Sequence, residues 1–271
     1  MMLWPGNVGQ LGLGGGSGRT LLQPLLQQAI AAIKRNNGTL FYVPQNFAGA
    51  WTDSAGTDPV NEVADGIGRM TDRTGGTGVA TQATTANKPT VQTNPQGRYV
   101  VRFDGSNDHL VTNITTGNEG WVCAGVTFGA ADNVDETVFS SGASTVAAEG
   151  VWMRRAGATG TNTWSHVVGS GIRRNDSSIA SVPLKAGPVV VEGGWTARSI
   201  TSAVNGIDGT PSSRRGDATP PPHAAFIGAG TGPAAFFNGN MTALVHCPVL
   251  PSAADRAIIR KWIGSLQGQS L

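Results

Sequence analysis

A short turn concentrates oxygen atoms that a hard cation could use. In the segment FDGSNDHL, the carboxylates of Asp104 and Asp108 flank the polar side chains of Ser106 and Asn107. Ca²⁺ is bound by carboxylates, carbonyls and waters in such loops. The same side chains also commonly accept hydrogen bonds from the amides of their own turn, and this second interpretation is favoured. Asp104 and Asp108 are therefore weak calcium candidates, and no other metal and no cofactor is predicted.

The acidic residues do not form the pair that glycoside hydrolysis needs. That reaction uses two carboxylates that flank the scissile bond, one as acid and one as base or nucleophile. Asp132, Asp135 and Glu136 lie together in a polar stretch that predicts a loop, and Glu192 lies in an apolar strand with no acidic neighbour. We therefore predict no catalytic residues and no enzymatic activity.

Other reactive arrangements are also missing from the sequence pattern. His246 and Cys247 are adjacent, so on a strand their side chains point to opposite faces and cannot share a metal ion. Ser170 lies between two glycines but lacks the Gly-x-Ser-x-Gly pattern of a hydrolase nucleophile. A triad assembled from distant residues stays open at this point. The Gly-rich start of the chain lacks the Gly-Lys-Ser/Thr of a phosphate-binding loop, so no cofactor-binding residues are predicted.

Tryptophan is frequent, with seven residues beside two tyrosines. Indole rings can stack on sugar rings, but they also fill the core of a sandwich well. Most of the tryptophans in β regions are predicted to be core residues. Trp51 and Trp164 have polar neighbours, so these two are the candidates for contact with a glycan.

The composition favours a folded, β-rich protein that binds no nucleic acid. Charged residues make up 13% of the chain, Gly occurs 39 times and the formal net charge is +2. Many glycines with few charges favour short strands joined by tight turns, and nucleic-acid binding would need a denser basic stripe. No apolar run is long enough to cross a membrane, so no membrane insertion is expected. Cys123 and Cys247 lie in apolar contexts, and a disulfide between them is left open.

Helical periodicity occurs twice. Residues 20–36 carry an apolar stripe after a Thr20 cap, and Gly38 is expected to stop this helix. Residues 252–267 follow a Ser252–Asp255 capping pair. The first helix either covers one end of the sandwich or docks to a partner. The docking interpretation uses its apolar residues Leu21, Leu22, Leu25, Leu26, Ile30 and Ile33.

Between the helices the pattern indicates β structure. Strands are expected over 121–128, 137–140, 150–154, 163–168, 189–195, 200–204, 224–228 and 237–246. Asn205-Gly206 follows a strand-like run, and this dipeptide is a strong signal for a hairpin turn.

Several segments occur in an order that resembles a known family. They are Trp51 to Val60 (WTDSAGTDPV), Ala80-Thr81-Gln82 with Lys88-Pro89, the run GRYVVRFDGSNDHL from Gly97 to Leu110, and Phe237-x-Gly239-x-Met241. Together they resemble the laminin-G/concanavalin A-like jelly-roll modules of bacteriophage virion proteins, over roughly residues 47–267. The chain departs from the pattern at Thr77-Gly78-Val79, where Asn and His are usual.

The resemblance implies an all-β, antiparallel jelly-roll β-sandwich with an N-terminal arm and helix and a C-terminal helix. Residues 1–38 are expected to form a Gly-rich arm with the docking helix, and residues 39–271 the sandwich. It further implies a structural protein of the virion, in a head decoration, collar or tail, that assembles in the host cytoplasm and is released by lysis. Its partners would be other virion proteins and copies of itself. The alternative is an adhesin that recognises host surface glycans.

Overall fold

The computed structural model describes residues 19–129, 135–142, 149–156, 163–170, 177–184, 187–213, 223–230 and 235–271. Over these ranges the chain forms two antiparallel sheets packed as a sandwich, with one helix before them and one after them. The predicted fold class is therefore confirmed. The predicted Gly-rich arm lies outside the described residues.

The helices are α1 (Arg19–Arg35) and α2 (Ala253–Leu266), and Thr85–Asn87 form one turn of 3₁₀ helix. The first strands are β1 (Thr39–Phe41), β2 (Ala50–Trp51), β3 (Arg69–Thr71), β4 (Val79–Thr81), β5 (Thr90–Thr93), β6 (Tyr99–Asp104), β7 (Leu110–Thr115), β8 (Gly120–Phe128) and β9 (Glu136–Ser141). They are followed by β10 (Glu149–Ala156), β11 (Thr163–Ser170), β12 (Ser177–Pro183), β13 (Pro188–Trp195), β14 (Ser199–Val204), β15 (Ile207–Asp208), β16 (Ser212–Ser213), β17 (Ala224–Ile227) and β18 (Asn238–Cys247).

The strands divide between two sheets, here named sheet A and sheet B. Sheet A has the order β15-β14-β13-β8-β18-β6-β5, with β1 also paired to β18 and β16 to β14. Sheet B has the order β12-β11-β10-β9-β17-β7-β4-β3-β2. Because neighbours in each sheet come from distant parts of the sequence, one sheet edge brings together residues that no local pattern connects.

Side-chain alternation on β18 shows how the chain builds two apolar clusters. Leu244 faces the core between the two sheets, whereas Val245 and Cys247 face the opposite side of sheet A. On that outer side they pack against apolar residues of both helices, which are Ala29, Ala32, Ile33, Ile259, Trp262 and Ile263. The helices therefore form a third layer over sheet A. Within the described residues, no helix is both long and apolar enough to cross a bilayer.

The C-terminus of α1 corrects the predicted stop at Gly38. The Gly38 N–H donates to the Ile33 carbonyl at 2.9 Å, but the residue with left-handed backbone is Asn37, with φ of +50°. Gly38 is required by close packing instead. A Cβ there would lie 2.7 Å from Cys247 Sγ and 2.9 Å from the His246 carbonyl oxygen. This close approach lets the chain pass directly from α1 into β1 beside β18.

The start of α2 joins the two helices. Ser252 Oγ accepts the Asp255 N–H at 3.1 Å, which is the predicted N-cap. The Asp255 carboxylate then binds the end of α1, where it pairs with the Arg35 guanidinium and accepts from Asn36 Nδ2 at 3.0 Å. The hydrogen bond from Arg35 holds the pKa of Asp255 below its usual value. The two helices are thereby fixed in an antiparallel arrangement.

An ion pair lies inside the sandwich. Arg155 Nη2 is 2.8 Å from Glu136 Oε1, and the two side chains are 3% and 0% exposed. The guanidinium also lies 5.2 Å from the centroid of the Phe128 ring. Glu136 was expected in a polar loop with Asp135, but it begins β9 and is buried. Removing one partner of such a pair costs about 3–5 kcal/mol, because the other charge stays buried.

Candidate functional site

A groove opens where the two helices meet the chain after β1 and the turn between β5 and β6. Its volume is about 360 Å³, which lies in the range of small-ligand sites. Polar groups line it together with aromatic rings. The polar members are Gln23, Gln45, Asn46, Arg98 and Thr242.

Tyr42 and Trp262 form one aromatic part of the groove. Tyr42 directly follows β1, and its ring meets the Trp262 ring of α2 edge to face, with centroids 5.5 Å apart. The Arg73 guanidinium lies 5.9 Å from the centroid of the Tyr42 ring. Burial raises the pKa of Tyr42, although the charge of Arg73 opposes this. The phenol is therefore a neutral hydrogen-bonding group at physiological pH.

The turn between β5 and β6 positions the second aromatic part. Asn94 Oδ1 accepts the Arg98 N–H at 2.9 Å, and Asn94 Nδ2 donates to the Leu266 carbonyl of α2 at 3.2 Å. Tyr99 follows this turn, and its ring stacks on Phe47 with centroids 4.3 Å apart and planes 12° apart. The aromatic walls of the groove are therefore held by contacts within the protein before any ligand binds.

Arg98 is the charged group in the groove wall. Among the described residues that line the groove, none is Asp or Glu. Gln45 Nε2 donates to the Gly97 carbonyl at 3.1 Å, which joins the chain after β1 to the turn that carries Arg98. The groove thus combines rings, neutral donors and acceptors, and a positive charge.

Trp51 lies on the outer face of sheet B, away from the groove. Its neighbour Ala50 faces the core, and the next residues in register across the sheet are Arg69, Thr81, Val111 and Phe226. This row is half-buried, and the Arg69 guanidinium lies 5.9 Å from the centroid of the Trp51 ring. The prediction that Trp51 contacts a glycan stays a prediction.

Trp164 is a core residue, so its predicted glycan contact is corrected. Its side chain has no exposed surface, and its Nε1–H donates to the Glu192 carbonyl at 3.0 Å. The ring packs near Phe128 between the two sheets. The polar neighbours Thr163 and Ser165 suggested exposure, yet Ser165 is itself buried. A sugar could reach Trp164 only if the sandwich opened.

The calcium candidates Asp104 and Asp108 accept hydrogen bonds from backbone N–H groups of their own turn. Asp104 Oδ1 accepts backbone N–H groups from Ser106, Asn107 and Asp108, at 2.8, 3.2 and 3.3 Å. Asp108 Oδ2 accepts the Asp104 N–H at 2.9 Å. Burial, assisted by the charge of Asp104, raises the pKa of Asp108 to about 6. The described residues contain no cluster of three His, Cys, Asp or Glu side chains that could hold a metal ion. The carboxylates therefore cap the turn, as the favoured interpretation held.

The apolar stripe of α1 packs largely on the chain itself. Ile33 has no exposed surface, so the prediction that it contacts a partner is corrected. Leu25, Leu26 and Ile30 are half-buried against the cluster over sheet A, and Leu26 also lines the groove. The side chains of Leu21 and Leu22 lie outside the described part of the structure.

The other acidic residues named from the sequence are not brought together. Glu192 pairs with Arg260 of α2, and Asp135 pairs with Arg154. Asp132 lies outside the described residues. Cys123 and Cys247 are both buried, and both thiols are free. Burial raises the pKa of the Cys247 thiol to about 12, so it is unreactive as a nucleophile.

Of the groove residues, sequence reasoning named only Leu26, as a residue that docks to a partner, and missed the others. Tyr42, Arg98, Tyr99 and Trp262 come from three distant segments, and only the packing of α2 against the chain after β1 joins them. The one available signal was that Arg98 and Tyr99 follow the turn Asn94 to Gly97. A turn of that kind places its flanking residues at the end of a sheet, where ligands commonly bind.

No family model matches the sequence, and no curated protein matches it. Solved structures share the fold. An arabinofuranosidase complexed with arabinofuranosyl-alpha-1,2-xylobiose matches at 14% identity and a TM-score of 0.58, over 88% of this chain and 65% of that one. Trypanosoma rangeli sialidase matches at 13% identity and a TM-score of 0.53, over 92% of this chain and 40% of the sialidase. A botulinum neurotoxin type C structure matches at 8% identity and a TM-score of 0.54, over 86% of this chain and 53% of the neurotoxin chain. The chain therefore spans well under two thirds of the sialidase, and these identities show the fold alone.

These matches overturn the prediction that the protein is not an enzyme. That prediction rested on the sequence pattern, which shows no carboxylate pair, no metal-ligand spacing and no Gly-x-Ser-x-Gly nucleophile. Sialidases and an arabinofuranosidase share the fold of this chain, so the fold supplies no ground for excluding enzymatic activity. Fold and function are separable, and the argument for function has to come from the site.

Proposed function

We propose that this protein binds carbohydrate in the groove between α1, α2 and the turn before β6. One observation carries the proposal: Tyr42 and Tyr99 line the same concave site as a set of amide, hydroxyl and guanidinium groups. Sugars present apolar C–H faces and a ring of hydroxyls. Aromatic rings match the first feature, and side-chain amides match the second.

The groove is also organised in advance. Tyr42 is held by Trp262, and Tyr99 is held by Phe47, so neither ring has to be ordered when a ligand arrives. Immobilising a side chain at an interface costs about 0.5–1.5 kcal/mol. Rings fixed by the fold avoid that cost, which supports binding of a ligand that offers weak individual contacts.

The similar structures support the proposal as examples of what the fold hosts. The arabinofuranosidase is described with a bound arabinofuranosyl-xylobiose. The neurotoxin is described as dependent on two ganglioside molecules for cell entry.

For the setting of the protein, we propose the surface of a phage particle, assembled in the host cytoplasm from copies of this chain and other virion proteins. This setting is supported by the segments between residues 47 and 267 that resemble, in the same order along the chain, the jelly-roll modules of phage virion proteins.

A glycan array followed by calorimetry tests the binding. Asn46→Ala changes an exposed side chain of the groove, so the melting temperature should stay unchanged while affinity falls several-fold. Tyr99→Ala should abolish binding. Trp51→Ala, on the outer face of the other sheet, is the matched aromatic control and should leave affinity unchanged. Loss of binding in Trp51→Ala alone would move the site to sheet B. Immunogold labelling of purified particles tests the setting.

A further inference from the structure

Arg98 differs from four arginines of the structure whose guanidinium groups have polar partners. Arg35, Arg154 and Arg260 each pair with a carboxylate, and Arg102 donates to Asn238 Oδ1 at 2.8 Å. Arg98 is half-buried, and within the described residues its guanidinium has neither an ion pair nor a hydrogen bond. Its backbone is nevertheless fixed, because Asn94 bonds both its N–H and its carbonyl at 2.9 Å.

The surroundings of Arg98 favour an anion. The groove residues Gln23, Gln45, Asn46 and Thr242 are neutral, and no carboxylate lines the groove within the described part of the chain. A second guanidinium, that of Arg73, lies 5.9 Å from the centroid of the Tyr42 ring. A guanidinium without a counter-charge gains most from a planar anion, which it can bind through two parallel hydrogen bonds.

We infer that the groove selects an acidic sugar, whose carboxylate binds Arg98 while its apolar face packs on the neighbouring tyrosines. This inference rests on the proposed function and names the ligand class. A carboxylate on a sugar ring lies within a few ångströms of the C–H face of the same ring. Arg98 and Tyr99 are consecutive residues that both line the groove, so one acidic sugar unit can satisfy both.

The experiment compares matched ligands that differ only in the carboxylate. Calorimetry would use an oligogalacturonide and the same oligosaccharide after reduction of its carboxyl groups to alcohols, and a sialylated trisaccharide and the same trisaccharide after reduction of its sialic acid carboxyl group. At low salt the wild type should bind at least one acidic member roughly ten- to hundredfold more tightly than its neutral partner. Whichever pair shows this preference identifies the source of the carboxylate. The preference should weaken as salt is added.

Variants at Arg98 separate charge from packing. Arg98→Gln should abolish the preference for the acidic member while keeping the melting temperature, and Arg98→Lys should retain part of it. Arg198→Gln removes the same charge from an exposed turn of sheet A and should change nothing. Equal binding of acidic and neutral members, or an undiminished preference in Arg98→Gln, would overturn the inference and leave the proposed function standing. No binding of any glycan, acidic or neutral, would overturn both.

Discussion

His246 should make the sandwich sensitive to acid, and His246→Phe should reduce that sensitivity. The ring lies inside the sandwich, stacked on Phe139 with centroids 6.0 Å apart and planes 17° apart. Trp195 lies on another side, with a centroid separation of 6.4 Å. Nε2 is buried and has no hydrogen-bond partner among the described residues. Burial therefore disfavours the imidazolium ion and lowers the pKa of His246 from 6.5 to about 4.

The direction follows from linkage between protonation and folding. Since the folded pKa lies below the unfolded value, the unfolded chain takes up a proton first as the pH falls. Stability is therefore fully present above pH 6.5 and is lost between pH 6.5 and about 4. The gap between those two values corresponds to roughly 3 kcal/mol of unfolding free energy. That amount is a large part of the usual stability of a domain.

Other buried groups titrate in the same range, so the difference between two proteins is the informative quantity. Burial also lowers the pKa of His166 to about 4, and its Nδ1–H donates to the Thr201 carbonyl at 3.0 Å. Asp108 acts in the opposite direction. Its pKa is raised to about 6, so its charge destabilises the folded state at neutral pH and no longer does so once it is protonated. Both contributions cancel when wild type and His246→Phe are compared.

Urea unfolding at pH 7, 5 and 4 measures that difference. At pH 7 the variant should lie within about 1.5 kcal/mol of wild type, because Phe has a similar shape and no hydrogen bond of Nε2 is lost. At pH 4 the gap should have moved in favour of the variant by roughly 3 kcal/mol. Phe139→Leu is the control, since it disturbs the same contact and should shift stability equally at all three pH values. Parallel profiles for wild type and His246→Phe would refute the reasoning.

Four further outcomes are expected. Trp164→Ala should lower the unfolding free energy by roughly 3–5 kcal/mol, whereas Trp51→Ala should change it far less, as urea titration of both would show. Asp108→Asn should raise the melting temperature at pH 7 but not at pH 3.5, because it removes a buried charge and its amide oxygen can still accept the Asp104 N–H. EDTA and Ca²⁺ should leave the melting temperature unchanged, and a clear rise with Ca²⁺ would contradict the assignment of Asp104 to its own turn. Deleting residues 1–38 should unfold the domain, as measured by circular dichroism, because the deletion uncovers the part of the outer face of sheet A that α1 covers.

The strands and helices were predictable because their signals are local. The strand expected over 121–128 is β8 (Gly120–Phe128), and the helix expected over 252–267 is α2 (Ala253–Leu266). The Asn205-Gly206 turn has φ angles of +51° and +78°, as a tight hairpin requires. Alternation, capping and turn chemistry each act over a few residues, so one sequence is enough to detect them.

Burial on a particular face was harder to predict. Trp164 has polar neighbours on both sides, but β11 lies within sheet B and Ser165 is buried as well. Consecutive residues of a strand point to opposite faces of the sheet. A polar neighbour therefore describes the face opposite to that of the tryptophan, and it does not show which of the two faces is exposed to solvent. The groove could not be predicted from the sequence for a related reason. Its rings come from the residue after β1, from β6 and from α2, and their meeting depends on how a helix layer packs on a sheet.

The contribution of α1 to the groove leads to a last prediction, which rests on the proposed function. Gln23 and Leu26 of α1 line the groove, so a bound glycan contacts the helix only when the helix is packed in place. Ligand that binds one state stabilises that state by mass action. At a ligand concentration about 100 times Kd, local opening of α1 should fall roughly a hundredfold, up to the limit set by global unfolding. Hydrogen exchange followed by mass spectrometry measures this for peptides of α1 and of β18. A slowing of exchange in α1 of that size, up to the limit set by global unfolding, would place the ligand against the helix. Unchanged exchange in α1, together with a raised melting temperature, would place the ligand elsewhere on the sandwich.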